Sequence, residues 1–169
     1  SFLFALWPNS IKIAVRVNVT LSLTGVYMPK VTRSALVSFS ADQMFSLVND
    51  VARYHEFLPG CSGSRVIESS DSTMVASVDV SKAGISKTFT TSNRLADGAE
   101  ILMELVDGPF KKLQGGWYFT PLDEQACKVE LKLEFEFSSL MIEMAFGKVF
   151  NELTRNMVTA FTQRAKQVY

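Results

Sequence analysis

The hydrophobic period of this chain changes near its C-terminal end, and that change constrains the fold more than any other feature. Cys127, Val129, Leu131, Leu133, Phe135 and Phe137 alternate with Lys128, Glu130, Lys132, Glu134 and Glu136, the pattern of a strand with one buried and one wetted face. Ser138 or Ser139 then offers a helix cap. Beyond Leu140 the apolar positions Phe146, Phe150, Leu153, Met157, Phe161 and Val168 follow steps of three, four or seven. About thirty residues of helix extend roughly 45 Å, long enough to cross a whole sheet. A strand leading straight into such a helix predicts a sheet with one long helix laid across it.

Upstream, the same period of two recurs. Met74, Ala76, Val78 and Val80 alternate with polar neighbours, then Phe89, Thr91, Asn93 and Leu95, then, after an Asp97-Gly98 turn, Ile101, Met103 and Leu105. These read as antiparallel hairpins. Gly115, Trp117 and Phe119 share one face of the next strand, and Pro121 to Glu124 turns the chain again. Before the strands, Ser40 and Gln43 form an S-x-x-Q capping box that starts a helix at Ala41, with Phe39 placed to staple onto Met44. Asp50 caps a second short helix, which Leu58-Pro59-Gly60 ends. A long helix lying in a curved antiparallel sheet, with two short helices near its start, encloses a space.

The first 27 residues contain Lys12 and Arg16 but no acid, the first acidic residue being Asp42. A secretory signal would place its basic residues before the apolar run, and a membrane span would need about 20 uninterrupted apolar residues; neither pattern is present. Every odd position from Ile11 to Leu23 is apolar, which is strand periodicity. The reading adopted is an N-terminal extension over 1–27, from an over-extended reading frame, and a ligand-binding domain over 28–169 that starts at Met28.

Seventeen Lys+Arg balance seventeen Asp+Glu, so net charge gives no reason to expect nucleic acid, DNA included, or an acidic substrate. Cys61 and Cys127 are too few for a disulfide framework and belong to no metal-ligand cluster, which suits a reducing, cytoplasmic setting. His55, the single histidine, and Cys61 lie in YHEFLPGC, but no Asn or Asp is placed to orient the histidine and Glu56 adjoins it, so a catalytic dyad is unsupported. Gly-rich phosphate loops are absent as well. Thirteen Phe and seven Met suit either a packed core or a cavity for a greasy ligand. In DGPFKKLQGGWYF, Phe110, Trp117 and Phe119 face a pocket or fill the core, and Gly115-Gly116 either admits a ligand to the backbone or marks a bulge. Lys111 and Lys112 are a solvated pair or a basic edge for phosphates.

The segments VNDVARYHEFLPGC, VDVSKAGISKTFTT, LVDGPFKKLQGGWYFTPL, FEF and AFGKVF, in that order and spacing, resemble the bacterial ribosome-association toxin family, relatives of the mitochondrial coenzyme Q-binding proteins in the START-like, polyketide cyclase-like superfamily. The likeness runs from Met28 to Tyr169, and departs from the family where His55 replaces a common proline. It implies an α+β helix-grip fold: a curved antiparallel sheet wrapped around a long C-terminal helix, with two short helices after the first strand. It implies a non-enzymatic tunnel for ubiquinone or another polyprenyl lipid, as bound ligand and not as cofactor, in support of respiration. Tyr54, Phe57, Leu58 and Pro59 would form the tunnel lip, Phe110, Trp117 and Phe119 its sheet wall, and Met141, Met144, Phe150 and Leu153 its helix side. The other reading it carries is a toxin of a toxin-antitoxin pair. That toxin binds the large ribosomal subunit through Lys82, Lys87, Lys111 and Lys112 and blocks 70S association, beside a small antitoxin-like partner. A polyketide cyclase-like enzyme is a weaker third. The setting implied is cytoplasmic or peripheral to the inner membrane, with no metal.

Overall fold

The structure, a computed structural model, describes residues 13–16 and 30–169. The remainder of the 1–27 extension and the proposed start at Met28 lie outside the described residues. Within the alternating stretch Ile11 to Leu23, β1 (Ile13–Arg16) is a strand that pairs antiparallel with β2 (Lys30–Val37).

After β2 come helix α1 (Ala41–Asn49), a 3-10 helix (Val51–Glu56), and the strands β3 (Cys61–Ser69), β4 (Thr73–Lys82), β5 (Ile85–Ala96), β6 (Glu100–Asp107), β7 (Phe110–Asp123) and β8 (Ala126–Phe137), followed by helix α2 (Leu140–Val168). The strands make one eight-stranded sheet in the order β1-β2-β8-β7-β6-β5-β4-β3, every neighbouring pair antiparallel. β8 therefore lies centrally although it is last in sequence. Its Cys127, Val129, Leu131, Leu133, Phe135 and Phe137 are all buried, while Lys132 between them is exposed. That is the alternation read from the sequence.

The switch from strand to helix is made by two serines. Ser138 donates its N–H to the Pro109 carbonyl at 3.0 Å, which ends β8 against the β6–β7 turn. Ser139 caps α2 by accepting the Ile142 N–H on Oγ at 3.2 Å. The capping box of α1 is complete: Ser40 Oγ accepts from the Gln43 N–H at 3.1 Å, and Gln43 Oε1 accepts from the Ser40 N–H at 2.9 Å. Phe39 meets Tyr169, ring centroids 6.1 Å apart, and the Tyr169 hydroxyl donates to the Gln43 carbonyl at 2.9 Å. The far end of α2 is thus tied to α1.

The glycine pair of β7 has neither of the roles expected for it. The β7–β8 register runs unbroken from Leu113↔Phe135 through Gly116↔Lys132, so no bulge sits there. A Cβ on Gly115, whose φ is +151°, would lie 1.9 Å from the Lys132 carbonyl oxygen, and one on Gly116 would lie 2.8 Å from that of Ile101. The space left by the missing side chains is filled by β8 and β6 backbone, not by a ligand.

Candidate functional site

Between the concave face of the sheet and α2 lies a cavity of about 60 Å³. Its sheet side is built from Ala76 and Val78 on β4, Phe89, Thr91 and Asn93 on β5, Met103 on β6, Leu113 and Trp117 on β7, and Leu131 and Leu133 on β8. Phe150, Leu153, Thr154 and Met157 close it from α2, and Val51 and Tyr54 from the 3-10 helix. The strand alternation that buries one face of the sheet is what points these side chains inward.

Of the residues expected to line a tunnel, Tyr54, Trp117, Phe150 and Leu153 are on this wall. The others are elsewhere. Phe110 is buried in an aromatic cluster beyond one end, 4.8 Å from the Phe150 ring and stacked at 5.3 Å on Phe137. Phe119 packs edge-on to Phe45 at 5.8 Å, and Leu58 is buried under the turn. Phe57 and Pro59 line a separate open groove with Asn156, Ala160 and Arg164 of α2. Met141 and Met144 are 78% and 79% exposed, so the helix-side assignment fails for both: they sit in the first turns of α2, on its open face.

Charge and rings hold the 3-10 helix against α2. Arg164 NH2 is 2.7 Å from Glu56 Oε2, and its guanidinium lies 5.1 Å over the Phe57 ring, joining the 3-10 helix to α2. Tyr54, Phe57 and Trp117 each meet Phe161 edge-on, at 5.1, 5.2 and 5.3 Å. The Tyr54 hydroxyl donates to the Val48 carbonyl, and its burial pushes its pKa far above the ordinary phenol value. Tyr54 is the single titratable group among the described residues of the wall, and with its proton committed it offers no acid or base near neutral pH.

Sequence reasoning missed the polar part of the wall. Asn93, Thr91 and Thr154 are 5%, 7% and 1% exposed. Thr91 Oγ1 donates to Asn93 Oδ1 at 2.8 Å, and Thr154 Oγ1 to the Asn151 carbonyl at 3.0 Å. The available signal was their phase: Thr91 and Asn93 occupy inward positions of an alternating strand.

His55 and Cys61 make no dyad. His55 Nδ1 is 3.3 Å from Ser64 Oγ, while the Cys61 thiol donates to the Gly63 carbonyl at 3.3 Å and burial pushes its pKa up. Among the four lysines singled out for phosphate contact, Lys82 pairs with Glu152 at 2.7 Å, Lys111 with Glu136 at 3.7 Å and Lys112 with Glu134 at 3.2 Å. Lys87 has no ion-pair partner among the described residues. No group of three or more His, Cys, Asp or Glu among those residues could hold a metal ion, and no helix is long and apolar enough to cross a membrane.

The family model described as polyketide cyclase / dehydrase and lipid transport matches residues 37–162. A relative named Ribosome association toxin RatA, from Vibrio cholerae serotype O1, is 79% identical over 142 residues, 84% of this chain and 99% of its own length. The chain belongs to the ribosome association toxin family. A more distant relative, the mitochondrial Coenzyme Q-binding protein COQ10 homolog B of Xenopus laevis, is 25% identical over 166 residues, 96% of this chain and 68% of its own. The crystal structure of the Zhui aromatase/cyclase from a Streptomyces species superposes with a TM-score of 0.74 at 18% identity, covering 83% of this chain and 95% of that one. That likeness establishes the START-like fold, in which the long C-terminal helix crosses the curved antiparallel sheet.

Proposed function

We propose that this chain is a toxin that binds the large ribosomal subunit and blocks its association with the small one. The observation that carries the reading is the 79% identity to a ribosome association toxin along 99% of that relative, which spans surface as well as core. This reverses the order in which the resemblance was read, because an apolar cavity speaks to packing and ligand but not to a ribosome. The partner would meet the chain in the cytoplasm, where ribosomes are.

Purified chain added to separated subunits should leave them unjoined on a sedimentation gradient; undiminished 70S particles at a severalfold molar excess would overturn the proposal. Phosphate binding follows from which lysines are free. Lys82, Lys111 and Lys112 each face a glutamate, so Lys87→Glu should weaken subunit binding more than Lys111→Glu. Removing one cation that neutralises a phosphate should reduce the salt slope by roughly 0.7 to 0.9.

A second reading rests on the cavity itself: non-enzymatic binding of an apolar molecule such as ubiquinone. The wall is overwhelmingly apolar, and the Xenopus relative is named for coenzyme Q binding. Transfer of an apolar ligand from water contributes about 25 cal/mol per Å² buried. Mass spectrometry of solvent extracts of the chain purified from its own cells should show a quinone or prenyl lipid, and repeated extracts free of both would count against it.

A further inference from the structure

The geometry points to Asn93 as the anchor for a carbonyl oxygen on an otherwise apolar, uncharged ligand, an inference that rests on the second reading above, that the cavity takes an apolar molecule. Asn93 is 95% removed from solvent and lines the cavity from β5. Its cross-strand neighbours are Met74 on β4 and Met103 on β6, so its amide stands in an apolar stretch of the sheet face. The side chain has two polar ends. Thr91, two residues away on the same face, donates to Oδ1 at 2.8 Å and so fixes which end is engaged. The Nδ2 amide that remains has no acceptor among the described residues and is not sealed off from the space it faces, so a donor stands open to whatever occupies the cavity.

The surroundings narrow what would satisfy it. Nδ2 donates, so the ligand must accept, and a carbonyl oxygen accepts without bringing a donor that the apolar wall would leave unpaired. No lysine, arginine or histidine is among the described residues of the wall, so a carboxylate or phosphate placed there would be a buried, uncompensated charge. Thr154 across the cavity spends its proton on the Asn151 carbonyl and adds no competing donor. A neutral head with a carbonyl, followed by an aliphatic tail, meets all of these conditions; a plain hydrocarbon leaves the amide unpaired, and a fatty acid carries the wrong charge.

The test compares three probes on the full chain by calorimetry: decylubiquinone, decylbenzene as its oxygen-free counterpart, and decanoate. Decylubiquinone should bind roughly tenfold more tightly than decylbenzene, and decanoate should not bind at neutral pH. Asn93→Leu, which keeps the branched side-chain skeleton but has no donor, should erase the preference. A merely structural asparagine would move the melting temperature and leave the preference intact. Asn93→Val serves if the leucine variant does not fold. Equal binding of the two neutral probes, or a preference that survives both substitutions, overturns the anchor while leaving apolar binding standing. Failure of every probe to bind the unaltered chain overturns the apolar-ligand reading and the anchor with it.

Discussion

Two glycines with positive φ separate conformational cost from steric cost. Gly60 has φ +85° and nothing within 4 Å of a built Cβ, so Gly60→Ala should lose only what a left-handed backbone costs an alanine, about 1–2 kcal/mol. Gly115 adds a backbone carbonyl 1.9 Å from where its Cβ would be. The β7–β8 pairing must open to admit a methyl group there, and Gly115→Ala should cost more than Gly60→Ala by about 1–3 kcal/mol, read from urea midpoints at equal slope. A smaller loss at Gly115 than at Gly60 would mean that β7 and β8 can separate without penalty. Cys127 provides a pH test at the same scale. Burial pushes its thiol from 9.0 up to about 11. The folded chain then holds this proton more tightly than the unfolded chain does, so stability should be constant below about pH 9 and fall as pH rises through 11. Burial raises the Cys61 and Tyr54 values as well, so they act in the same direction at high pH. Urea midpoints of Cys127→Ala should therefore flatten in part and not wholly across that window.

Among the elements, those legible in the sequence are the ones whose signals are local. The α1 capping box needs Ser40 and Gln43, and β8 needs alternation over eleven residues; each is decided by neighbours in the chain. The segment after Asp50 was readable as a short helix but not as a 3-10 helix, and nothing in its spacing announces that the Tyr54 hydroxyl reaches back to the Val48 carbonyl. The link between that segment and α2 is wholly non-local: Glu56 and Arg164 are 108 positions apart. It should matter more to motion than to stability. Arg164→Ala removes a partly exposed ion pair and the guanidinium over Phe57, about 1 kcal/mol together. Hydrogen exchange should nonetheless rise at Val51–Glu56 and in the facing turns of α2, while β7 and β8 stay unchanged; uniform exchange across the chain would show that the 3-10 helix is not held by this pairing.

At the scale of the whole molecule, the fold was readable because one period change places a long helix after the central strand, whereas the site was readable only in part. Trp117, Phe150 and Leu153 fall on the wall because inward phase and the middle of α2 coincide. Met141 and Met144 lie out of phase with the buried stripe of Ile142, Phe146, Phe150 and Leu153, so they fall on the open face of α2 although Ile142 and Phe146 in the same turns pack on the core. Asn93 was hidden for the opposite reason, a polar residue in a phase that spacing assigns to core. The volume of the enclosed space carries the last consequence. At about 60 Å³ it is less than half of the roughly 150 Å³ that admits a benzene ring, so a ring-bearing ligand enters only as wall groups move. Met157 is the natural mover, an unbranched side chain on α2, half-buried at the cavity edge. Met157→Ala should destabilise the empty chain by about 2 kcal/mol, the low end for truncating a methionine because the site is not fully enclosed. The same change enlarges the entrance, so stopped-flow quenching of tryptophan emission by decylubiquinone should show a faster association rate at little change in dissociation. An unchanged association rate would move the barrier from Met157 to the Glu56–Arg164 pairing between the 3-10 helix and α2, and Arg164→Ala would then be the variant that speeds entry.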